Sequence, residues 1–371
     1  MSRQRIYLIG AGVIGRAHAN AARTLYQENP GELTLHICDR DPAILQSFAE
    51  EFPEAQQWTD AGEMLAEAPQ DSDVVVVGTP PGSHHPLTLQ ALRSGRHVLC
   101  EKPLAMNAEE AMEMLAAARE TGRLLGCCSG RFIGDERAKL RDLLANTAGL
   151  YAGTWIDLRP RGRSGVEYQP QTPWFAQKRF SGGGCLMDWG SYDFTNLSYL
   201  LDPVEVVIEQ AWVRVPEIGA NLPEGVVADV DTHVGATLRY RLSGDREVVL
   251  NYERSSAYHG EGFGRQTFSA EGLGIKISHI GSEPAKLYRD RDGRMETEEF
   301  PDIDRKARNA HDRPLRYFLQ RVTRGNGPAV VQEQAVFNFL IIQAIYRAAE
   351  TGKPVRVVQS PEPKIEDSNL D

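Results

Sequence analysis

Residues 6–15 read Ile6-Tyr7-Leu8-Ile9-Gly10-Ala11-Gly12-Val13-Ile14-Gly15, and this run decides how the first third of the chain folds. An apolar, strand-like segment leads straight into GxGxxG, and helical spacing follows from Val13 to Leu25. Each glycine has a physical reason. Gly10 allows a tight turn, Gly12 lets the backbone approach a pyrophosphate, and Gly15 lets the helix pack close to the strand. A diphosphate would then rest on the N–H groups that open the helix, beside Val13 and Ile14. Asp39 stands 24 residues past Gly15, at the end of a second strand-like run, Leu33 to Cys38. Its carboxylate suits both ribose hydroxyls, so NAD is expected and NADP is the lesser alternative. Arg40 complicates the choice, since a guanidinium there can meet a 2′-phosphate or stack on adenine.

Working outward, short β-rich runs alternate with helical patterns. Pro42 opens a helix, a favoured first-turn position. Val74 to Val77, His97 to Cys100 and Leu124 to Cys128 are further strand candidates. This rhythm predicts a doubly wound parallel sheet over residues 1–125, a Rossmann-type α/β domain. After about residue 150 the texture changes. VEVVIEQAWVRV, HVGATLRYRL, EVVLNYERSS, RQTFSAEG and GIKISHI alternate apolar and polar residues. That pattern predicts a large, mostly antiparallel open sheet in an α+β domain over residues 126–358. Helical patterns return at Arg313–Arg324 and Gln332–Glu350, with Gly352 as the C-cap. The polar stretch 359–371 is expected to fray. A cleft between the two domains is the default ligand site.

Bulk composition narrows the function. The chain has 371 residues, 41% hydrophobic and 25% charged, with a formal net charge of −10. No global positive field exists to collect phosphates, so neither nucleic acid nor a membrane surface is an expected partner. No apolar run suits a signal peptide or a membrane span, and a cytoplasmic protein is expected. The five cysteines lack CxxC spacing and are odd in number. Buried reduced thiols are expected, with no metal site.

Thr79-Pro80 with His84, then Ala91-Leu92, Gly95 and His97-Val98, then Glu101-Lys102-Pro103 form a specific series. With GxGxxG, the glycine-rich segment ending in Asp188-Trp189-Gly190-Ser191-Tyr192, and the late YRAAETGKPV, the chain resembles the glucose–fructose oxidoreductase, inositol dehydrogenase and rhizopine-catabolism family (Gfo/Idh/MocA). The resemblance runs over nearly the whole chain. It implies hydride transfer at a secondary alcohol, often on a sugar or cyclitol ring, and a homodimer or homotetramer. It also implies a cis Lys102–Pro103 bond and places Thr79, Pro80, His84 and Glu101 around the cofactor.

The chemistry of Lys102 stands beside the resemblance. A lysine at the carboxyl end of a sheet strand lies where doubly wound folds bind ligands. Its ammonium can hydrogen-bond a substrate hydroxyl and help carry the proton. Glu101 can orient it. Asp188 and Tyr192 are four apart, so on a helix starting near Leu186 they share a face. Many members have histidine where this chain has Tyr192. Imidazole titrates near 6.5 and phenol near 10. Either Lys102 is the acid/base and Tyr192 positions the substrate, or Tyr192 exchanges the proton and Lys102 assists; a coupled pair is the preferred reading. Asp188 would bind a neighbouring hydroxyl. Gly182 to Gly184 would let the chain turn tightly against the cofactor domain. Asp193 is expected on the helix surface, and His18 and His85 carry no proton-transfer role.

Arg159, Arg161, Arg163, Lys178 and Arg179 make a local positive stretch in an acidic chain. One or two of them, with Arg163 and Lys178 foremost, would bind an anionic group on the substrate. Trp155, Trp174 and Phe175 would supply an apolar wall or pack in the core. The leading expectation is an NAD-dependent sugar or polyol oxidoreductase. A glycosidase that retains NAD and oxidises C3 transiently is the alternative, and a non-catalytic NAD(H) sensor is the third.

Overall fold

The computed structural model describes residues 4–28, 33–160, 172–215, 224–278, 283–300 and 312–368. They form two compact units, Met1–Arg131 with Arg308–Val336, and Phe132–Ala307 with Phe337–Asp371.

The first unit is built on six parallel strands: β1 (Gln4–Ile9), β2 (Leu33–Cys38), β3 (Gln56–Trp58), β4 (Val74–Val77), β5 (His97–Cys100) and β6 (Leu125–Cys127). Their order is β3-β2-β1-β4-β5-β6, which reverses direction of winding between β1 and β4. Strands buried on both faces read as unbroken apolar runs, and Val74–Val77 is one. Helix Pro42–Glu51 starts where Asp41 accepts the Ala43 N–H, and helix Ala108–Thr121 where Asn107 accepts the Glu110 N–H. Gly122, left-handed at φ 63°, ends the latter. One face of the sheet packs Ile6, Leu8, Leu35, Ile37, Val76 and Leu99 against Ala19, Ala22, Phe48 and Phe52.

The chain division differs from the contiguous 1–125 and 126–358 expected from sequence. Helix Asp312–Arg324 returns to the first core, where Leu315 and Phe318 are fully buried. A Cβ on Gly126 would stand 2.6 Å from the Phe318 ring, so glycine there admits the helix. The free edge of β6 is covered by the segment that follows. The Cys127 N–H donates to the Val330 carbonyl at 2.9 Å, and the Leu125 N–H to Gln332 Oε1 at 3.2 Å. Covered edges do not recruit other strands.

On the other face of this sheet, His36 stacks on Tyr7 with ring centroids 4.4 Å apart. It is buried and neither ring nitrogen has a hydrogen-bond partner. Burial pulls its pKa below the usual value, and burial does the same to His97 and His84. The unfolded chain takes these protons near pH 6.5 and the folded chain only at lower pH. Stability is therefore complete above that window and falls as pH drops through it, by at most about 1.4 kcal/mol per pH unit per histidine. His36→Phe is expected to raise the urea midpoint at pH 5.5 clearly more than at pH 8. An equal change at both pH values would contradict this account of His36.

The second unit carries a ten-stranded sheet in the order β14-β13-β12-β11-β7-β10-β9-β8-β15-β16. Its members are β7 (Leu150–Pro160), β8 (Pro203–Arg214), β9 (His233–Leu242), β10 (Arg246–Tyr258), β11 (Phe263–Ala270), β12 (Leu273–Ile277), β13 (Lys286–Arg291), β14 (Arg294–Glu299), β15 (Val355–Val358) and β16 (Lys364–Asp367). The β7–β10 pair is parallel and its neighbours are antiparallel. The period-2 alternation in β9 buries Val234, Ala236, Leu238, Tyr240 and Leu242 on one face. Arg239 and Arg241 on the other pair with Glu205, Glu209 and Glu247. The expected fraying from residue 359 is corrected over Lys364–Asp367. Ile365 pairs with Val357 and Glu366 with Arg356, whose guanidinium it binds at 2.8 Å.

Candidate active site

In the first unit, β1, β2, β4 and β5 end side by side. The Gly10 N–H donates to Cys38 O and the Gly78 N–H to Ile9 O, each at 2.8 Å, and the Glu101 N–H to Val77 O at 2.9 Å. This gathers GxGxxG, Asp39, Thr79 and Lys102 at the carboxyl ends of the strands. Gly10 has φ +104°, and a Cβ there would stand 2.6 Å from the Gly78 carbonyl oxygen. A Cβ on Gly15 would run into the Gly10 carbonyl. Gly12 is different. A Cβ on it would meet no heavy atom within 4 Å, so nothing in the protein requires glycine there. That open space is a cradle a diphosphate would fill.

Asp39 accepts the Ala11 N–H at 2.9 Å with one oxygen and the Asp41 N–H at 3.0 Å with the other. It thus fixes the glycine loop and the exit of β2 together, and its remaining lone pairs suit ribose hydroxyls. Val13 is 83% exposed at the helix start, and Arg40 and Pro80 are exposed. The residues present fit a dinucleotide.

Thr79 Oγ1 accepts the Ser83 hydroxyl at 2.8 Å. His84 is fully buried between two backbone carbonyls, Nδ1 at 2.8 Å from Pro103 O and Nε2 at 2.8 Å from Thr79 O. A neutral imidazole donates to one of them at a time. Burial draws the His84 pKa down while both carbonyls draw it up. Either way the ring ties the loop after β4 to the loop after β5. The Lys102–Pro103 bond is cis.

Glu101 accepts the Lys102 N–H at 3.0 Å, and its other oxygen meets His18 Nε2 at 2.8 Å. Burial alone would raise this carboxyl, but the His18 hydrogen bond and field, with Lys102, bring it down to about 2. Cys128 lies close, its sulfur 3.9 Å from His18 Nε2. These three side chains form a compact, buried donor set. It reads as a hydrogen-bonded trio. The 2.8 Å contact is shorter than the ~3.3 Å between ligand atoms around a tetrahedral zinc, and burial holds the Cys128 thiol well above its usual pKa. His18 therefore supports Glu101, a role its sequence position did not disclose. All five cysteines are free and buried.

In the second unit, helix Cys185–Leu201 carries Asp188 in its first turn and Tyr192 one turn on. The glycine run before it answers to close neighbours in its own unit. A Cβ on Gly184 would run into the Asp231 backbone, and one on Gly183 into the Tyr346 hydroxyl. Asp231 caps the helix from 47 residues away. Its oxygens accept the Gly184 N–H at 2.7 Å, the Leu186 N–H at 2.9 Å and the Tyr346 hydroxyl at 2.6 Å. This replaces the N-cap side chain that Gly184 lacks.

Tyr192 is 6% exposed, its ring edge-on to Phe132 at 5.2 Å and to Trp189 at 5.8 Å. Asp188 and Trp189 are half-buried. Asp193 corrects the surface expectation, for it is fully buried. It accepts Trp155 Nε1 at 2.9 Å, the Tyr252 hydroxyl at 2.9 Å, and Arg254 Nε and Nη2 at 2.7 and 2.8 Å. Trp155 is fully buried in that network and forms no wall. A signal existed: Asp193 interrupts the stripe Leu186, Gly190, Leu197, Leu200, which at that spacing faces a core.

Of the basic stretch, Arg159 is held by Asp157 at 2.7 Å. Arg179 lies over the Phe180 ring at 4.5 Å. Lys178 is exposed, with its N–H on Asp229 at 2.6 Å. Trp174 stacks on Phe175 at 4.0 Å. Arg161 and Arg163 lie outside the described residues.

A glycine-loop dinucleotide fold with a lysine at a strand end, joined in one chain to an open-sheet unit, defines an NAD-dependent oxidoreductase. Residues 4–128 match the oxidoreductase family with an NAD-binding Rossmann fold, and residues 155–270 match the GFO/IDH/MocA C-terminal domain. The chain belongs to the Gfo/Idh/MocA oxidoreductases. It is 29% identical to D-glucoside 3-dehydrogenase of Escherichia coli, over 95% of this chain and 97% of that one. It is 24% identical to myo-inositol 2-dehydrogenase of Thermotoga maritima, over 95% and 98%. The solved structure of levoglucosan dehydrogenase with NADH and levoglucosan superposes with a TM-score of 0.76 at 18% identity, covering 96% of this chain and 99% of that one. Among the described residues no helix is long and apolar enough to cross a membrane.

Proposed function

We propose that this protein oxidises a secondary hydroxyl of a sugar ring with NAD, a D-glucoside being the substrate and C3 its reacting carbon. One observation carries the choice: the similarity to D-glucoside 3-dehydrogenase extends over 95% of the chain. Bound at the glycine loop, NAD would supply the hydride acceptor. Gly10, Gly12, Gly15 and Asp39 would hold it, with Thr79, Pro80, His84 and Glu101 shaping the cofactor side. Lys102 and Tyr192 would take up the hydroxyl proton, and Asp188 would hold a neighbouring hydroxyl. Trp174 and Lys178 would contact the substrate. A homodimer or homotetramer in the cytoplasm belongs to the same reading.

The test is turnover with NAD and a panel of methyl β-D-glucopyranoside, levoglucosan, myo-inositol and a methyl glucuronide, followed at the NADH absorbance band. Sustained NADH formation, fastest with the glucoside, is expected. Preference for myo-inositol or the glucuronide would move the substrate class. Release of methanol without net NADH would favour the NAD-retaining glycosidase. Silence on every compound, with NAD still bound, would leave the sensor.

A further inference from the structure

Beneath Tyr192, two strands and a helix bring charged groups together in the buried interior of the second unit. The parallel register of β7 and β10 sets Trp155 beside Tyr252 and Asp157 beside Arg254. Asp193 descends from the helix onto three of these residues, Trp155, Tyr252 and Arg254. Arg254 is 1% exposed and grips Asp193 through Nε and Nη2, a bidentate fork, while Nη1 reaches Asp157 at 3.0 Å. Asp157 also holds Arg159, so two buried carboxylates meet two guanidinium groups. Burial would lower the Arg254 pKa, but Asp193, Tyr252 and Asp157 hold it above its usual value.

The network has an outward face. The Arg254 guanidinium lies 5.2 Å from the centroid of the Trp189 ring, and Trp189 in turn meets Tyr192 edge-on. A buried cation under an aromatic ring attracts it more strongly than an exposed one. The planar fork makes arginine, rather than lysine, able to bind one carboxylate in two places while stacking on a ring.

We infer that Arg254 is a positioning residue for Tyr192: clamped by Asp193 and Asp157, it anchors Trp189, which fixes the direction of the Tyr192 phenol. The inference rests on the reading of Tyr192 as a proton-handling group. Arg254 touches neither substrate nor cofactor in this role. Its contribution is to kcat, because a phenol misplaced by about 1 Å lowers turnover about 100-fold.

The experiment measures NAD-dependent oxidation of methyl β-D-glucopyranoside by Arg254→Lys, Tyr192→Phe and the double variant. Arg254→Lys is expected to lower kcat about 100-fold, with the KM for NAD unchanged. In the Tyr192→Phe background, where no hydroxyl remains to be aimed, the same change is expected to alter kcat less than about threefold. Trp189→Leu leaves the Arg254–Asp193 pair in place and is expected to behave like Arg254→Lys, which covers the event that the buried substitution fails to fold. Equal losses from Arg254→Lys or Trp189→Leu in both backgrounds would overturn the inference and reduce Arg254 to a structural ion pair. A Tyr192→Phe variant as active as the parent would overturn the role of Tyr192 and the inference with it, whereas a parent that does not oxidise the glucoside would overturn the functional reading.

Discussion

Lys102→Met is expected to lower NAD-dependent oxidation by about 10²–10⁴-fold, the range that a positioned acid or base contributes, while NAD affinity stays within about twofold. Methionine keeps the length of the stem and removes the ammonium. What holds the loop does not depend on that ammonium. Glu101 binds the Lys102 backbone N–H, and His84 ties Pro103 to Thr79. The dinucleotide cradle at Gly12 and Asp39 is likewise untouched. Titration with NAD by calorimetry, beside steady-state rates, separates the two effects. If cofactor binding and activity disappear together, Lys102 is a cofactor or structural residue and the assigned role falls.

Asp231→Ala is expected to have the largest effect on stability. It leaves the Gly184 N–H, the Leu186 N–H and the Tyr346 hydroxyl without their acceptor. An unsatisfied buried donor costs about 1–3 kcal/mol, so a loss of about 3–5 kcal/mol is expected from the set. Asp231→Asn retains one acceptor oxygen and is expected to fall between parent and alanine. The loss appears as a lowered denaturation midpoint in scanning calorimetry. A midpoint for Asp231→Ala within a degree of the parent would show that the helix start is capped by something else.

The first unit was readable because its signals are local. GAGVIG, the valine run at Val74–Val77 and the helix-opening Pro42 each carry their reason within a few residues. β9 was legible to its ends because alternation buries one face. Short β3 and β16 were missed, having too few residues to show a period. The return of Leu315 and Phe318 to the first core was invisible, since nothing in helix Asp312–Arg324 names the sheet it packs on. At the candidate site, the motif residues could be proposed from sequence and their supports could not. Lys102, Asp188 and Tyr192 stood in recognisable strings. Asp231 acts 45 and 47 residues beyond Leu186 and Gly184, Arg254 acts 61 beyond Asp193, and Tyr346 acts 115 beyond Asp231. The glycines at 183 and 184 illustrate the difference. Their presence was obvious, but their cause, the approach of Tyr346 and Asp231, required the fold.

In the proposed reaction hydrogen passes from a sugar ring carbon to NAD. The most direct measurement uses methyl β-D-glucopyranoside deuterated at C3, with mass analysis of the reduced cofactor. Deuterium in the NADH formed and a slower rate than with the protiated sugar are expected. NADH formed without deuterium would place the oxidation at another carbon, and consumption of the glycoside with no reduced cofactor would contradict the proposed reaction.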